Sequence, residues 1–304
     1  MSIAQYIHKL LPPSSEITFL YQEDFDGDNQ DEIILGLTNC ETSPPNFSVF
    51  FISYNGQDLT HQCILTNTCN PESLYDESSG IEGIIDNAFV ADTNGDGKSE
   101  LIITLITGNG HFLTPYLFNW VNKVPTLVWT VNKTFYHGSL DVMDVDLDGI
   151  FEVVIEESIW YGKDILSLAE SSPHMRLSNL YKWDGKTYKQ KPFQPQDTDR
   201  IGHNISLYFL LSIAKAKYNR AYELIQLPYF LGLNGVDDNS FDSFLRYLNK
   251  NILPILNKNL EKGLLIPADL GYFKGEDNDF IFRWSKDKGL IKIHSITINP
   301  KNPS

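Results

Sequence analysis

Three stretches of the chain repeat one acidic pattern: DFDGDNQDEIILGL at 24–37, DTNGDGKSELIITL at 92–105 and DVDLDGIFEVVIEE at 144–157. Each starts with nine residues of the form D-x-[DN]-x-D-x-x-x-E and continues into a largely aliphatic run. Oxygen-bearing side chains at positions 1, 3, 5 and 9 of a short loop suit a hard, oxygen-seeking cation, usually Ca²⁺. The pattern therefore predicts up to three calcium loops, at 24–32 (loop 1), 92–100 (loop 2) and 144–152 (loop 3).

The residues inside the loops fit this chemistry. Position 6 holds Asn29, Gly97 and Gly149, which tolerate the left-handed backbone that a tight loop needs. The main-chain carbonyl of position 7 could add an oxygen whatever its side chain is. The predicted side-chain ligands are Asp24, Asp26, Asp28 and Glu32 in loop 1, Asp92, Asn94, Asp96 and Glu100 in loop 2, and Asp144, Asp146, Asp148 and Glu152 in loop 3. The predicted carbonyl ligands are those of Gln30, Lys98 and Ile150.

Position 4 distinguishes the third loop from the other two. Loops 1 and 2 have Gly27 and Gly95 there, whereas loop 3 has Leu147. We therefore expect loop 3 to differ in geometry or affinity, and the sequence leaves open whether it binds metal.

Two other interpretations of the loops must be considered. An EF-hand loop has twelve residues, a bidentate Glu at position 12 and flanking helices. Position 12 is here Leu35, Ile103 or Ile155, and the residues after each loop have the pattern of buried strands. Asp, Asn and Gly also form ordinary β-turns that bind nothing, although three copies in one register favour metal binding.

Each loop belongs to a larger repeat. About 28 to 39 residues after each loop begins, an aromatic strand ends in a turn, with hairpin signals at Asn55-Gly56 and Asp184-Gly185. The sequence predicts a mainly β fold: three four-stranded antiparallel blades of a β-propeller-like array, in repeats at about 17–65, 86–131 and 138–191. The predicted strands are 17–23, 31–38, 47–54 and 57–65; 86–91, 99–106, 114–121 and 124–131; and 138–143, 151–158, 177–183 and 186–191.

These loops and strands resemble the FG-GAP or VCBS-type repeats, including the calcium loops on the propeller of integrin alpha subunits. The resemblance implies that side chains at positions 1, 3, 5 and 9 hold a mainly structural Ca²⁺, while ligands bind on the propeller face. It also implies an extracellular setting. A closed propeller needs at least four blades and three are visible, so a degenerate blade, a covered open array or association of copies would account for the difference.

The two ends of the chain follow a helical pattern. Residues 1–16 predict a short amphipathic helix, with Ile3, Tyr6, Ile7 and Leu10 on one face, that packs on or covers the array. After a linker, 204–226 and 240–253 read as helices, and strands follow near 264–273, 279–285 and 290–298. We therefore predict a calcium-binding domain at 1–195 and a small α+β accessory domain at 196–304. The order of its elements is similar to nuclear-transport-factor-like and cystatin-like domains.

Composition limits the partners. The formal charge is −15, and three Ca²⁺ would bring it to −9, which argues against nucleic acid and anionic membranes. No apolar run of membrane-spanning length and no signal-peptide pattern is visible, which would fit a cytoplasmic protein, so the sequence leaves the compartment open. Cys63 and Cys69 could pair, or they could be free thiols.

The sequence favours a non-enzymatic protein. No nucleophile elbow, P-loop, zinc-protease helix or dinucleotide fingerprint occurs, and His111 lies in an expected loop between strands. The leading hypothesis is a calcium-stabilised module that binds a protein or glycan. The alternatives are a hydrolase with its site in a C-terminal or inter-domain pocket, and a structural homo-oligomer of partial propellers.

Overall fold

The computed structural model describes residues 3–42, 45–55, 58–67, 81–131, 133–159, 172–191, 193, 197–226, 240–261 and 265–301. The chain forms two compact units. Unit 1 contains Met1–Glu157 and Ser178–Phe193, and unit 2 contains Ser158–Leu177 and Gln194–Ser304.

Three four-stranded antiparallel sheets follow one another along the chain. The four strands of each sheet are neighbours in chain order. Sheet 1 consists of β1 (Ser15–Glu23), β2 (Glu32–Asn39), β3 (Asn46–Asn55) and β4 (Asp58–Thr66). Sheet 2 consists of β5 (Ile84–Ala91), β6 (Glu100–Thr107), β7 (Phe112–Val121) and β8 (Val124–Thr130). Sheet 3 consists of β9 (Ser139–Met143), β10 (Glu152–Ile159), β11 (Met175–Trp183) and β12 (Tyr188–Lys191).

The predicted fold class is confirmed, and all twelve predicted strands of these sheets occur within two residues of the expected ends. Each acidic loop joins the first two strands of its sheet. The residue before the loop pairs with the glutamate at position 9: Glu23 with Glu32, Ala91 with Glu100, and Met143 with Glu152. The loops are therefore strand connections and not EF-hands.

The second strand of each sheet is buried along most of its length, which explains its continuous apolar sequence. In β6, Leu101, Ile103 and Leu105 join a core with side chains of sheet 1. Ile102, on the opposite face, packs in a core with side chains of sheet 3. Sheet 2 is thus packed on both faces.

Helix α1 (Ile3–Leu10) packs on the face of sheet 1 that does not meet sheet 2. Its buried Ile7 lies in one cluster with Ile33, Leu35 and Leu37 of β2. The Tyr6 hydroxyl is 2.9 Å from His61 Nδ1 on β4. The predicted packing helix therefore covers a sheet face.

Unit 2 combines helices with a fourth antiparallel sheet. Among the described residues, its helices are α2 (Thr198–Ala214), α3 (Tyr218–Glu223), α4 (Phe241–Tyr247), a π-helical turn (Leu248–Ile252) and α5 (Leu253–Glu261). The sheet contains β13 (Ile266–Asp269), β14 (Tyr272–Lys274), β15 (Asn278–Asp287) and β16 (Leu290–Pro300), in that order. One hydrophobic core is shared by these helices and strands.

The helix boundaries predicted for this unit were partly wrong. The predicted helix 204–226 is divided between α2 and α3, because Ala216 has a φ of 52° and the Lys217 amide bonds back to Ser212 at 2.7 Å. The second helical run continues past Pro254, because the π-helical turn before it is closed by a bond from the Leu253 amide to the Leu248 carbonyl. The single strand expected near 264–273 is the hairpin β13–β14, which turns at Gly271 with a φ of 70°.

No helix in the described part of the chain is long and apolar enough to span a membrane.

Candidate metal centre

The three loops share one network of backbone amides bonded to side-chain oxygens. The aspartate at position 5 accepts the amide of position 7 in each loop, at 2.9 Å. The aspartate at position 1 accepts the amide of position 6, at 2.9, 2.9 and 3.0 Å in loops 1, 2 and 3. Asp and Asn favour such local bonds, so the repeated residues fold each loop in the same way.

The glutamate at position 9 is buried in all three loops. Glu32, Glu100 and Glu152 are 3, 0 and 1% exposed. One carboxylate oxygen of each accepts the backbone amide of position 2, at 3.1, 2.8 and 2.8 Å. The second oxygen of each glutamate is therefore the one available for a cation.

Loop 1 gathers its acids around the buried glutamate. Asp24, Asp26 and Glu32 each place a carboxylate oxygen within 4.8 Å of the others. Burial, with Asp26 nearby, raises the pKa of Glu32 to about 7. An all-oxygen set with a buried carboxylate fits Ca²⁺.

Loop 2 has an amide where loop 1 has a carboxylate. Its three carboxylates, all in the described part of the chain, do not form such a 4.8 Å group. The Asn94 Nδ2 donates to Glu100 Oε1 at 2.5 Å and to Asp96 Oδ2 at 3.2 Å. The Thr93 hydroxyl donates to Glu100 Oε2 at 2.7 Å, and burial raises the pKa of Glu100 to about 7. The Asn94 Oδ1 accepts the Asp96 amide at 2.8 Å, so turning this oxygen towards a cation would weaken that bond.

Loop 3 contains a cation supplied by the protein. Asp144, Asp146 and Glu152 form a 4.8 Å group like that of loop 1. The Lys182 ammonium, on β11, is 2.7 Å from Asp146 Oδ2, 2.8 Å from Asp148 Oδ2 and 2.8 Å from Glu152 Oε1. The contact with Glu152 is an ion pair whose angles fall outside hydrogen-bond geometry. A bond from Lys182 lowers the pKa of Asp148.

A second lysine touches only the outside of loop 1. Lys123 Nζ is 2.6 Å from Asp28 Oδ2 and 3.7 Å from Asp26 Oδ2, and its side chain is 59% exposed. A bond from Lys123 lowers the pKa of Asp28. Among the described residues, no ion pair reaches Glu32 or Glu100.

Both lysines were missed in the sequence. Lys182 lies on the strand beside the one that begins with Glu152, so the alternation of adjacent strands was a usable signal. Lys123 follows Asn122 in a two-residue turn with φ of 51° and 67°, where Gly is the usual second residue. No simple pattern predicts that its side chain reaches another sheet.

The loops stack against one another along the array. A Cβ added to Gly27 would lie 2.7 Å from Lys98 Cε, and one added to Gly95 would lie 2.6 Å from Ile150 Cδ1. The residue at position 7 of each later loop therefore covers position 4 of the loop before it. The Phe151 amide also donates to the Asp92 carbonyl at 2.9 Å.

Position 4 is left-handed in every loop, with φ of 77°, 78° and 61° at Gly27, Gly95 and Leu147. The position 6 residues are also left-handed, as predicted. Leu147 is 87% exposed. Position 4 of loop 3 thus has the same left-handed conformation as in the other loops, and loop 3 differs from them in the strained leucine and in Lys182. Whether its affinity differs stays a prediction.

A cavity of about 600 Å³ lies at the end of sheet 2 opposite loop 2. Its polar lining includes Asn67, Glu82, Thr107 and His111. The volume falls within the range of small-ligand sites, and amide, carboxylate and hydroxyl groups can bond a polar ligand. His111 lies between β6 and β7, as expected.

The aromatic strand ends pack between sheets in two repeats only. Trp120 lies in the core between sheets 1 and 2, and Tyr181 lies in the core between sheets 2 and 3. Tyr54 is instead 44% exposed. Cys63 is a buried free thiol, and Cys69, with which it could have paired, lies outside the described residues.

No protein-family model matches the chain, and a search of curated proteins found no match.

Proposed function

We propose that this chain is a non-enzymatic calcium-binding repeat protein of the FG-GAP or VCBS type, in which Ca²⁺ stabilises the hairpins that carry loops 1 and 2. The observation that carries the proposal is the buried glutamate at position 9 of these loops. Glu32 and Glu100 lie among aspartates at almost zero exposure, and no described ion pair balances them. A buried carboxylate in this setting needs a cation or a proton.

The donor sets support a hard cation over a transition metal. Loops 1 and 2 offer carboxylate and amide oxygens, without a histidine or cysteine at any ligand position. Oxygen-only sets of this kind suit Ca²⁺ better than Zn²⁺ or Cu²⁺. The carbonyls of Gln30 and Lys98 and water would complete the shell.

The ion would link the first two strands of a sheet. It would bind side chains at both ends of the loop, from Asp24 to Glu32 or from Asp92 to Glu100. The resulting rigid array would present a surface to a protein or glycan, and the cavity at the far end of sheet 2 is our candidate for a glycan site. Its amide, hydroxyl and carboxylate groups are suited to sugar hydroxyls.

Conservative variants of the buried glutamates test calcium binding. Glu32→Gln and Glu100→Gln keep an oxygen for the amide of position 2 but remove the charge. We expect each variant to bind one ion fewer than the parent in calorimetric titration. Each should also lose the stabilisation contributed by that ion, which is about 2.7 kcal/mol in the free energy of unfolding at an ion concentration 100 times Kd. In chelator, both variants should be as stable as the parent or more stable, because they no longer bury a charge.

Asp31→Asn is the matched control, since Asp31 is an exposed acid of loop 1 outside the ligand positions whose carboxylate accepts from Gln22. It should keep full ion binding. The proposal fails if the parent binds no Ca²⁺, or if Glu32→Gln and Asp31→Asn have the same stoichiometry.

A further inference from the structure

Loop 3 has the acidic pattern of a calcium loop, but a lysine occupies its centre. The ammonium of Lys182 contacts the carboxylates of positions 3, 5 and 9 at 2.7 to 2.8 Å. The ammonium donates hydrogen bonds to Asp146 and Asp148 and forms an ion pair with Glu152, so three acids of the predicted calcium set surround it. We propose that Lys182 is the resident cation of loop 3, so that this loop is held without metal and rejects Ca²⁺.

The position of Lys182 makes it different from the other lysine near a loop. Lys182 is 25% exposed and reaches the buried Glu152, which is 1% exposed. Lys123 is 59% exposed and reaches only the aspartates of loop 1. An ammonium that contacts the buried carboxylate, such as that of Lys182, repels a metal ion at the same place. A solvent-exposed ammonium, such as that of Lys123, can be displaced by a metal ion at little cost.

The strand register identifies the residue that lies beside the buried glutamate in each sheet. In the proposal, this residue determines whether the loop holds an ammonium group or a metal ion. In sheet 1, Ile33 pairs with Ile52, and in sheet 2, Leu101 pairs with Phe118. The next residues along these ladders are Glu32 beside Ser53 and Glu100 beside Asn119. Lys182 contacts Glu152 from the same strand of sheet 3. The three repeats thus have Ser53, Asn119 and Lys182 on the strand beside the buried glutamate, and only the lysine brings a charge.

This inference rests on the proposed calcium binding of loops 1 and 2, and a reciprocal exchange tests it. Lys182→Asn places beside Glu152 the asparagine that sheet 2 has beside Glu100. Asn119→Lys places beside Glu100 the lysine that sheet 3 has beside Glu152. Calcium bound per chain, counted by calorimetric titration and by elemental analysis after dialysis, should be two in the parent, three in Lys182→Asn and one in Asn119→Lys. Three equivalent ions in the parent, or two in Lys182→Asn, would overturn the proposal.

A second measurement separates this inference from calcium binding itself. In chelator, Lys182→Asn should melt several degrees below the parent, because three acids of loop 3 lose their cation, and Ca²⁺ should restore the loss. Lys123→Asn, the matched loss of a peripheral lysine, should melt close to the parent. If the parent binds no ion, the proposed function fails, yet this comparison still decides the role of Lys182. Equal melting of Lys182→Asn and the parent in chelator would contradict that role.

If Lys182→Asn folds only when Ca²⁺ is present, the result supports the proposal in its strongest form. If Lys182→Asn folds neither with Ca²⁺ nor in chelator, the ion binding of Asn119→Lys tests the proposal instead. Loss of one ion from a folded Asn119→Lys supports an excluding ammonium, and unchanged ion binding refutes it.

Discussion

Leu147 is the residue of the loops whose backbone conformation suits its side chain least. Its φ of 61° lies in the left-handed region, where a Cβ costs roughly 1 to 2 kcal/mol, and its side chain is 87% exposed. Loops 1 and 2 avoid this cost with glycine. The leucine therefore carries strain with little burial to offset it.

Replacing Leu147 by glycine should stabilise the protein. We expect Leu147→Gly to raise the free energy of unfolding by up to about 1 kcal/mol, since relief of strain exceeds the added entropy of the unfolded chain. Urea denaturation in chelator measures the change. Leu147→Ala keeps the strained Cβ and should show no gain; an equal gain in both variants would point to the exposed side chain instead.

At the scale of elements, the stacking of loops distinguishes two glycines of loop 2. Gly95 and Gly97 both have a positive φ, 78° and 83°. A Cβ on Gly95 would meet Ile150 Cδ1 at 2.6 Å, while one on Gly97 would meet nothing within 4 Å. Only Gly95 is therefore required by a neighbouring loop.

Alanine at these two positions should separate backbone strain from stacking. Gly97→Ala should cost roughly 1 to 2 kcal/mol, which is the penalty of the left-handed conformation. Gly95→Ala should cost about 1 kcal/mol more, because Ile150 must move. Both are measured by denaturant unfolding at one calcium concentration. Equal losses would show that the loops do not press on each other.

The strands were predictable because local chemistry determines them. Alternating or continuous apolar runs between turn residues defined β2, β6 and β10 almost to the residue. The helices of unit 2 were less predictable, because Ala216 and the π-helical turn before Pro254 have no signature in the sequence. The candidate ligands followed from loop spacing alone. Lys182 could be found only by combining the strand order with the alternation of side chains along β11, which the loop pattern alone does not include.

At the scale of the whole molecule, calcium should act on unit 1, while a buried histidine should make unit 2 sensitive to acid. All three loops lie in unit 1, whereas the buried histidine with a lowered pKa lies in unit 2. His203 is 1% exposed; its Nδ1 accepts the Gly271 amide at 3.1 Å, so its Nε2 donates to the Pro173 carbonyl at 3.1 Å. Burial is the main cause of the lowered pKa, and the bond to the Pro173 carbonyl opposes it. The bond that Nδ1 accepts also favours the neutral ring, because a protonated Nδ1 could not accept it.

Unit 2 should therefore lose stability in mild acid. Because the folded pKa of His203 lies below its usual value near 6.5, the unfolded chain takes up the proton first. The contribution of neutral His203 to the stability of unit 2 is fully present above about pH 6.5. It is lost as the pH falls through the folded pKa. Hydrogen exchange of α2 amides at pH 7.5 and 5.5, corrected for the intrinsic rate, measures this loss.

His203→Gln should be less stable than the parent at pH 7.5, and its hydrogen exchange should depend less on pH. His8→Gln, at an exposed position of α1, should behave like the parent. An unchanged pH dependence in His203→Gln would assign the acid sensitivity to other groups.

The stacking of the loops also bears on how the array could be lengthened. The position 7 side chain of each following loop lies over the glycine at position 4 of the loop before it. Loop 3 has Leu147 at this position, so a further repeat stacked in the same register, from this chain or from a second copy, would meet a leucine side chain there. A designer who wished to add such a repeat after loop 3 would therefore begin by changing Leu147 to glycine.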